Sequence, residues 1–309
     1  MSRLSIVVPV YFNEPNLPDT LPTLLALREK LVGIELELVF VDDGSKDRSF
    51  EMLRDFQKSS PVPVQVIRLT RNFGSMSAVM AGLTHATGDC IGAISADLQD
   101  PPELFIEMVE QWKKGIKTVF AVRAHREDSW FDTAFSNGFY WLLRNFAIPN
   151  YPKYGFDFLL ADRQVIADII RIREKNTNLM SLVYWLGYPC VMIPYTRRRR
   201  RKGRSRWSLA KKVKLLIDSF VAFSYFPIRL LSAVGILFSV AAAIYLCIVI
   251  YAYLTHRVPV SGWTSLAIII TFTSGLQMMM LGVLGEYLWR NYDESRRRPS
   301  FVIDSIHRS

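Results

Sequence analysis

Through the first 122 residues, short apolar runs rich in valine and isoleucine alternate with longer stretches in which apolar side chains recur every three or four positions. The runs Leu4–Val10, Glu37–Val41, Val64–Leu69, Cys90–Ile94 and Thr118–Val122 predict strands. Between them, Leu17–Leu31, Asp47–Phe56, Ser75–His85 and Pro102–Lys113 predict helices. Strand alternating with helix at this spacing predicts an α/β domain with a mainly parallel sheet covered on both faces.

Beyond this half the pattern changes. Leu230–Leu254 and Val258–Gly285 carry no charge. Each is long enough to cross a hydrocarbon core of about 30 Å at about 1.5 Å per residue. The link between them, around Thr255, His256 and Arg257, is short, so the two spans predict a transmembrane hairpin over 228–289. Ahead of it, Ser208–Phe226 sets Leu209, Val213, Leu216, Phe220 and Phe223 opposite Lys211, Lys212 and Lys214, the pattern of an amphipathic juxtamembrane helix over 208–227. A second aromatic stripe over 130–146 fits either another interfacial element or ordinary domain core. The resulting division is a domain over 1–207, the juxtamembrane helix, the hairpin, and a tail over 290–309.

Charge gives this architecture an orientation. The chain of 309 residues has a net charge of +10, from 38 basic and 28 acidic residues. Arg197–Lys214 alone supplies 11 of the bases and no acid, leaving 27 basic against 28 acidic residues elsewhere. With Arg290, Arg296, Arg297 and Arg298 after the second stretch, the positive-inside rule places both flanks, the N-terminal domain and both termini in the cytoplasm of an inner or plasma membrane protein. A basic cluster beside a span reads as an anionic-lipid contact or topology signal. It does not read as a nucleic-acid site, because only Trp207 interleaves an aromatic among the bases. Cys90, Cys190 and Cys247 are odd in number and widely spaced, which predicts neither a disulfide framework nor a zinc site. The apolar start Leu4–Val10 is too short for the core of a secretion signal. Gly275, Gly282 and Gly285 permit close helix contacts and association into a homo-oligomer.

In open sheets of this kind ligands bind beyond the carboxyl ends of the strands. There the sequence places Pro9-Val10-Tyr11-Phe12-Asn13-Glu14, Val41-Asp42-Asp43-Gly44-Ser45-Lys46-Asp47 and Ser95-Ala96-Asp97-Leu98-Gln99-Asp100-Pro101-Pro102-Glu103. One strand-end aspartate is often only a helix cap. Three polar clusters at successive strand ends ask for more. A carboxylate-rich crevice repels a diphosphate unless a cation intervenes, and Asp97 and Gln99 offer hard oxygen ligands suited to Mg²⁺ or Mn²⁺. Neither the glycine fingerprint of a dinucleotide dehydrogenase nor a P-loop is present.

These clusters resemble the signature of inverting family 2 glycosyltransferases. With Arg71-Asn72-Phe73-Gly74, Gly88-Asp89 and Arg200-Arg201-Lys202-Gly203-Arg204-Ser205-Arg206, they are most similar to the branch that makes polyprenyl-phosphate sugars, including bactoprenol glucosyltransferases and dolichyl-phosphate mannose synthase. The resemblance implies a Rossmann-like GT-A domain and a nucleotide-sugar pocket. Pro9, Tyr11, Glu14, Val41 and Asp43 would border the base and ribose, and Ser95, Ala96 and Asp97 the diphosphate. Asp97 and Gln99 would hold the metal, while Arg123, Arg200 and Arg206 match phosphate-binding positions. Asp157, in Gly155-Phe156-Asp157-Phe158, is the candidate for a further catalytic or acceptor-orienting carboxylate; a loop residue capping the following segment is the plainer reading. The chain departs from the family pattern in three places. Ser95 stands where the first acid of Asp-x-Asp is usual, Arg206 replaces a lysine, and Phe12 is inserted before Asn13.

The implied reaction is transfer of a hexose, glucose from UDP-glucose, to undecaprenyl phosphate. GDP-mannose with a dolichyl-type acceptor is the alternative. A processive polysaccharide synthase would need more spans and a Gln-x-x-Arg-Trp motif that is missing. A non-catalytic membrane tether would leave the acidic strand ends without a purpose.

Overall fold

A computed structural model describes residues 1–123, 138, 140–141, 143–149, 151–152, 156, 158–172, 178–196, 223–224, 226–255 and 262–309. The chain divides into two units, residues 1–216 with 299–309, and residues 217–298.

The first unit is built on an eight-stranded sheet. In chain order its strands and helices are β1 (Ser2–Val10), α1 (Leu17–Leu25), α2 (Leu27–Lys30), β2 (Ile34–Asp42), α3 (Ser49–Ser59), β3 (Val64–Leu69), α4 (Ser75–His85), β4 (Cys90–Ala93), α5 (Leu104–Lys113), β5 (Thr118–Arg123), β6 (Phe158–Asp162), α6 (Arg163–Arg171), α7 (Leu179–Trp185), β7 (Cys190–Tyr195) and, after the second unit, β8 (Ile303–Arg308). The strand order is β7-β5-β6-β4-β1-β2-β3-β8. Pairs β1–β2, β1–β4, β2–β3 and β5–β7 are parallel, whereas β6 runs antiparallel to β4 and β5. The parallel core is thus as expected, within a sheet that is mixed.

Burial explains the pattern of the central strands. Leu4, Ile6, Val8, Leu38 and Phe40 are fully enclosed, because helices cover both sides of the sheet. Each such side chain contributes about 1.5–3 kcal/mol relative to exposure. Helix α4 approaches β1 and β2 so closely that a Cβ on Gly82 would meet Val7 Cγ1 at 2.2 Å and Val41 Cγ2 at 3.1 Å. The predicted helix over 17–31 breaks at Ala26, where the α1 cap leads directly into α2.

A buried polar row crosses β1, β2 and β3. The Glu37 carboxylate accepts from Ser5 Oγ, from Thr87 N at 2.8 Å, from Gln65 Nε2 at 2.7 Å and from Thr87 Oγ1 at 2.9 Å. Ser5 Oγ in turn accepts from Gly88 N at 2.7 Å. Burial raises the Glu37 pKa, but these donors outweigh it and hold the group below its ordinary value.

The end of the chain corrects the expected tail. Residues 290–295 continue a helix, and Ile303–Arg308 return to the first unit as β8, antiparallel to β3 at the sheet edge. Val302 O accepts from Thr70 N at 3.0 Å, and Ser309 Oγ accepts from Val64 N at 2.9 Å. The strand alternates half-buried and exposed residues because only one face is covered. Its polar sequence, with Asp304, Ser305, His307 and Arg308, conceals that pairing.

The second unit contains α8 (Phe226–Leu254) and α9 (Trp263–Ser295). Among the described residues, one stretch is long and apolar enough to cross a membrane, Ile228–Tyr245, with a mean hydropathy of 2.0 and no buried residues. Part of the second expected span, over 258–285, lies outside the described residues, as does nearly all of the expected juxtamembrane helix. Within the aromatic stripe over 130–146, residues 143–146 are helical.

Candidate functional site

The carboxyl ends of β1, β2, β3 and β4 lie side by side, and the loops that follow them are stitched together by side chains. Between the first two loops, Phe12 N donates to Ser45 Oγ at 3.0 Å and Asn13 N to Ser49 Oγ at 3.0 Å. Glu14 is the third stitch: its N–H reaches Asp47 Oδ2 at 3.3 Å, and its Oε2 accepts from Arg48 N at 3.0 Å, next to the start of α3. Phe12 takes a left-handed backbone (φ 51°) with its ring edge-on to Tyr11 at 4.7 Å. The residue that interrupts the usual motif is thus accommodated as a local kink, and Glu14 still reaches the neighbouring loop.

Asp43 joins the third loop to the second. It is 2% exposed, and its two carboxylate oxygens accept from Phe73 N at 2.7 Å and Gly74 N at 2.9 Å. Burial pushes its pKa up, opposed by those two bonds and by the Arg71 charge. The neighbouring Gly44 has φ 71°, and a Cβ there would lie 2.6 Å from the Arg71 carbonyl carbon. Gly44→Ala therefore combines a left-handed penalty with a backbone collision. We expect a loss of about 2–3 kcal/mol of stability, measured by chemical unfolding. An unchanged value would show that the two loops are not held by this contact. Asp42, fully buried, has its pKa raised by burial despite Ser45 and the Arg68 charge; Arg68 Nε lies 3.7 Å from Asp42 Oδ2.

The fourth loop carries the proposed metal ligands. Asp97 and Gln99 are both half-buried in a turn whose middle residue, Leu98, is left-handed at φ 54°. Asp97 Oδ1 accepts from Ser95 Oγ at 2.8 Å and from Gln99 N at 3.3 Å. The Ala96 carbonyl accepts from Thr20 Oγ1 of α1 at 2.8 Å, which fixes the base of the loop. Tyr195 Oη donates to Asp100 Oδ1 at 2.5 Å.

Pro9 and Val41 are register partners on β1 and β2, with Val41 fully buried beside Gly82 of α4. Arg123 ends β5 opposite Tyr195 of β7. Asp157, Arg200 and Arg206 lie outside the described residues. The structure thus brings Tyr11, Glu14, Asp43, Ser95, Ala96, Asp97 and Gln99 to the ends of adjacent strands. Sequence reasoning missed Thr20 and Tyr195, which act across long separations, although Asp100 stood within the quoted motif.

Among the described residues, no group of three or more His, Cys, Asp or Glu side chains is arranged to hold a metal. One carboxylate and one amide oxygen on a single turn nonetheless suit a hard cation whose remaining ligands come from a diphosphate and water.

Residues 5–178 match the sequence profile described as Glycosyl transferase family 2. The chain belongs to that family. It is 40% identical over 306 residues to the protein named uncharacterized glycosyltransferase YkcC of Bacillus subtilis (strain 168), covering 99% of this chain and 94% of the relative. It is 34% identical over 305 residues to the prophage bactoprenol glucosyl transferase homolog of Escherichia coli (strain K12), covering 98% of this chain and 99% of the relative. Mannosyl-3-phosphoglycerate synthase from Rubrobacter xylanophilus shares the fold at 18% identity and a TM-score of 0.50, over 76% of this chain and 75% of that one. The sheet of this family 2 transferase is a GT-A-like mixed sheet around a Rossmann-like parallel core.

Proposed function

We propose that this transferase moves glucose from UDP-glucose to a polyprenyl phosphate, undecaprenyl phosphate in a bacterial membrane, with inversion at the anomeric carbon. The observation that carries the reading is the Asp97–Gln99 turn at the end of β4, in a chain similar over 98% of its length to a protein named for bactoprenol glucosyl transfer.

The acceptor simplifies the chemistry. A lipid monophosphate is already anionic near neutral pH, so an acceptor oxygen attacks the anomeric carbon without prior proton removal while the bond to the diphosphate breaks. The protein's tasks are to align two mutually repelling anions and to stabilise the leaving group. Asp97 and Gln99 would hold Mg²⁺ or Mn²⁺, which would supply positive charge to the leaving diphosphate. Arg123, Arg200 and Arg206 would supply paired donors to phosphate oxygens. Asp157 would orient the acceptor, and Tyr11 with the loops tied by Glu14 and Asp43 would border the nucleoside.

Delivery of the lipid motivates the membrane part of the proposal. The chain leaves the first unit after Leu216 and rejoins it at Pro299, so any crossing by the intervening residues must be followed by a return. Helices α8 and α9 then form a hairpin, with the catalytic unit and both termini in the cytoplasm and the basic run near anionic headgroups.

The test is to offer the purified full-length protein a panel of labelled nucleotide sugars with short- and long-chain polyprenyl phosphates, with Mg²⁺, Mn²⁺ or chelator. We expect a β-linked glucosyl polyprenyl phosphate from UDP-glucose, formed only with divalent ion. A mannosyl product from GDP-mannose would move the assignment to the other donor, and no lipid-linked product from any donor would reject it.

A further inference from the structure

We propose that Tyr195 and Asp100 form a positioning pair that fixes the Asp97 turn for cation and diphosphate binding. The inference rests on the reading of Asp97 and Gln99 as cation ligands and adds to it a residue on a distant strand.

Tyr195 is the last residue of β7 and is 6% exposed; Asp100 is 3% exposed. Their 2.5 Å bond joins a phenol to a carboxylate, a short charge-assisted contact that fixes both groups. Ser95 Oγ lies between the two carboxylates, 2.8 Å from Asp97 Oδ1 and 3.4 Å from Asp100 Oδ2, and its single proton serves one of them at a time. Asp100 also follows Gln99 directly in the chain, so anchoring it anchors the turn that carries Asp97 and Gln99. The phenol is itself held by packing: the Tyr195 ring meets Phe158 edge-on at 5.8 Å, and Phe158 meets Phe105 at 5.4 Å. A ring wedged among buried aromatics can present its hydroxyl at one place only.

The position of Tyr195 in the fold adds a second reason. It is opposite Arg123 in the β5–β7 register, and the basic run begins two residues later at Arg197. The pair therefore ties the loop proposed for the cation to the strand that leads into the segment proposed for phosphate binding. Changing groups that orient metal ligands in this way typically costs about 10–100-fold in metal affinity or activity.

The experiment measures Mn²⁺ binding to the full-length protein in the presence of UDP, by electron paramagnetic resonance of the free ion. Tyr195→Phe keeps the ring and removes the donor. We expect about tenfold weaker Mn²⁺ binding and a parallel rise in the Mn²⁺ needed for half-maximal activity. The kcat should be recovered at saturating Mn²⁺, and the melting temperature of the metal-free protein should fall by only a few degrees, because the buried Asp100 carboxylate loses one donor while the ring packing is kept. Asp100→Asn should weaken binding similarly, and the double variant should add little beyond either single change. That non-additivity can be read even if one variant is less stable. Asp97→Asn is the reference. If it loses binding while Tyr195→Phe and Asp100→Asn bind as wild type, the pair is overturned and the ligand assignment stands. If Asp97→Asn itself binds as wild type, the ligand assignment fails and takes the pair with it.

Discussion

Asp97→Asn should lower kcat/KM for sugar transfer by about a thousandfold while leaving the melting temperature within a few degrees of wild type. The asymmetry comes from what asparagine keeps. Its side-chain oxygen can still accept from Ser95 Oγ and Gln99 N, the two bonds that shape the turn around left-handed Leu98. What it loses is the negative charge, and with it the affinity for a cation that would neutralise the leaving diphosphate. Steady-state kinetics over a range of Mn²⁺ concentrations, alongside thermal unfolding, separates the two effects. A non-catalytic tether would tolerate the change without functional loss, so wild-type behaviour in the variant would favour that reading.

The largest effect on stability is expected away from the crevice. Glu37→Ala should cost about 3–5 kcal/mol, because it strands the buried donors of Ser5 and Gln65, while the exposed Thr87 can turn to water. Glu37→Gln should also destabilise. All four bonds donate into the carboxylate, and an amide must turn its own N–H groups toward at least one of those donors. The same group gives a pH dependence. Its folded pKa lies below the ordinary value near 4.5, so its contribution is complete above that pH and is lost as pH falls through the folded value. Wild type should therefore lose stability in that acidic window, and Glu37→Ala should lose less over the same range. Parallel pH profiles for the two proteins would show that Glu37 is not the linked group.

The parts of the fold that were legible in the sequence are those where one physical requirement dominates. Strands buried on both faces must be almost wholly apolar, so β1 to β5 stand out as runs. Helix α4 was read at its observed limits, Ser75–His85, from the helical spacing of its apolar residues. β8 was not legible. Its strand state is imposed by backbone pairing with β3 across more than 200 residues of chain, and its side chains are those of a solvated tail. β6 is similarly defined by its antiparallel neighbours, β4 and β5.

The candidate site divides along the same line. Asp97 and Gln99 could be picked out because hard oxygen ligands two residues apart at a strand end have a recognisable chemistry. Glu14 and Asp43 were legible as members of strand-end clusters. Their use as stitches between loops was not, since the partners, Arg48 N, Phe73 N and Gly74 N, are backbone groups that carry no sequence signature. The Tyr195–Asp100 bond spans 95 positions and joins two residues of ordinary appearance. Only the fold brings them together.

The decisive measurement is a structure of the full-length transferase with UDP and Mn²⁺ bound. Asp97 and Gln99 should face the ion, with the diphosphate beside them at the end of β4. A diphosphate bound elsewhere, with Asp97 and Gln99 turned away from it, would overturn their assignment as cation ligands.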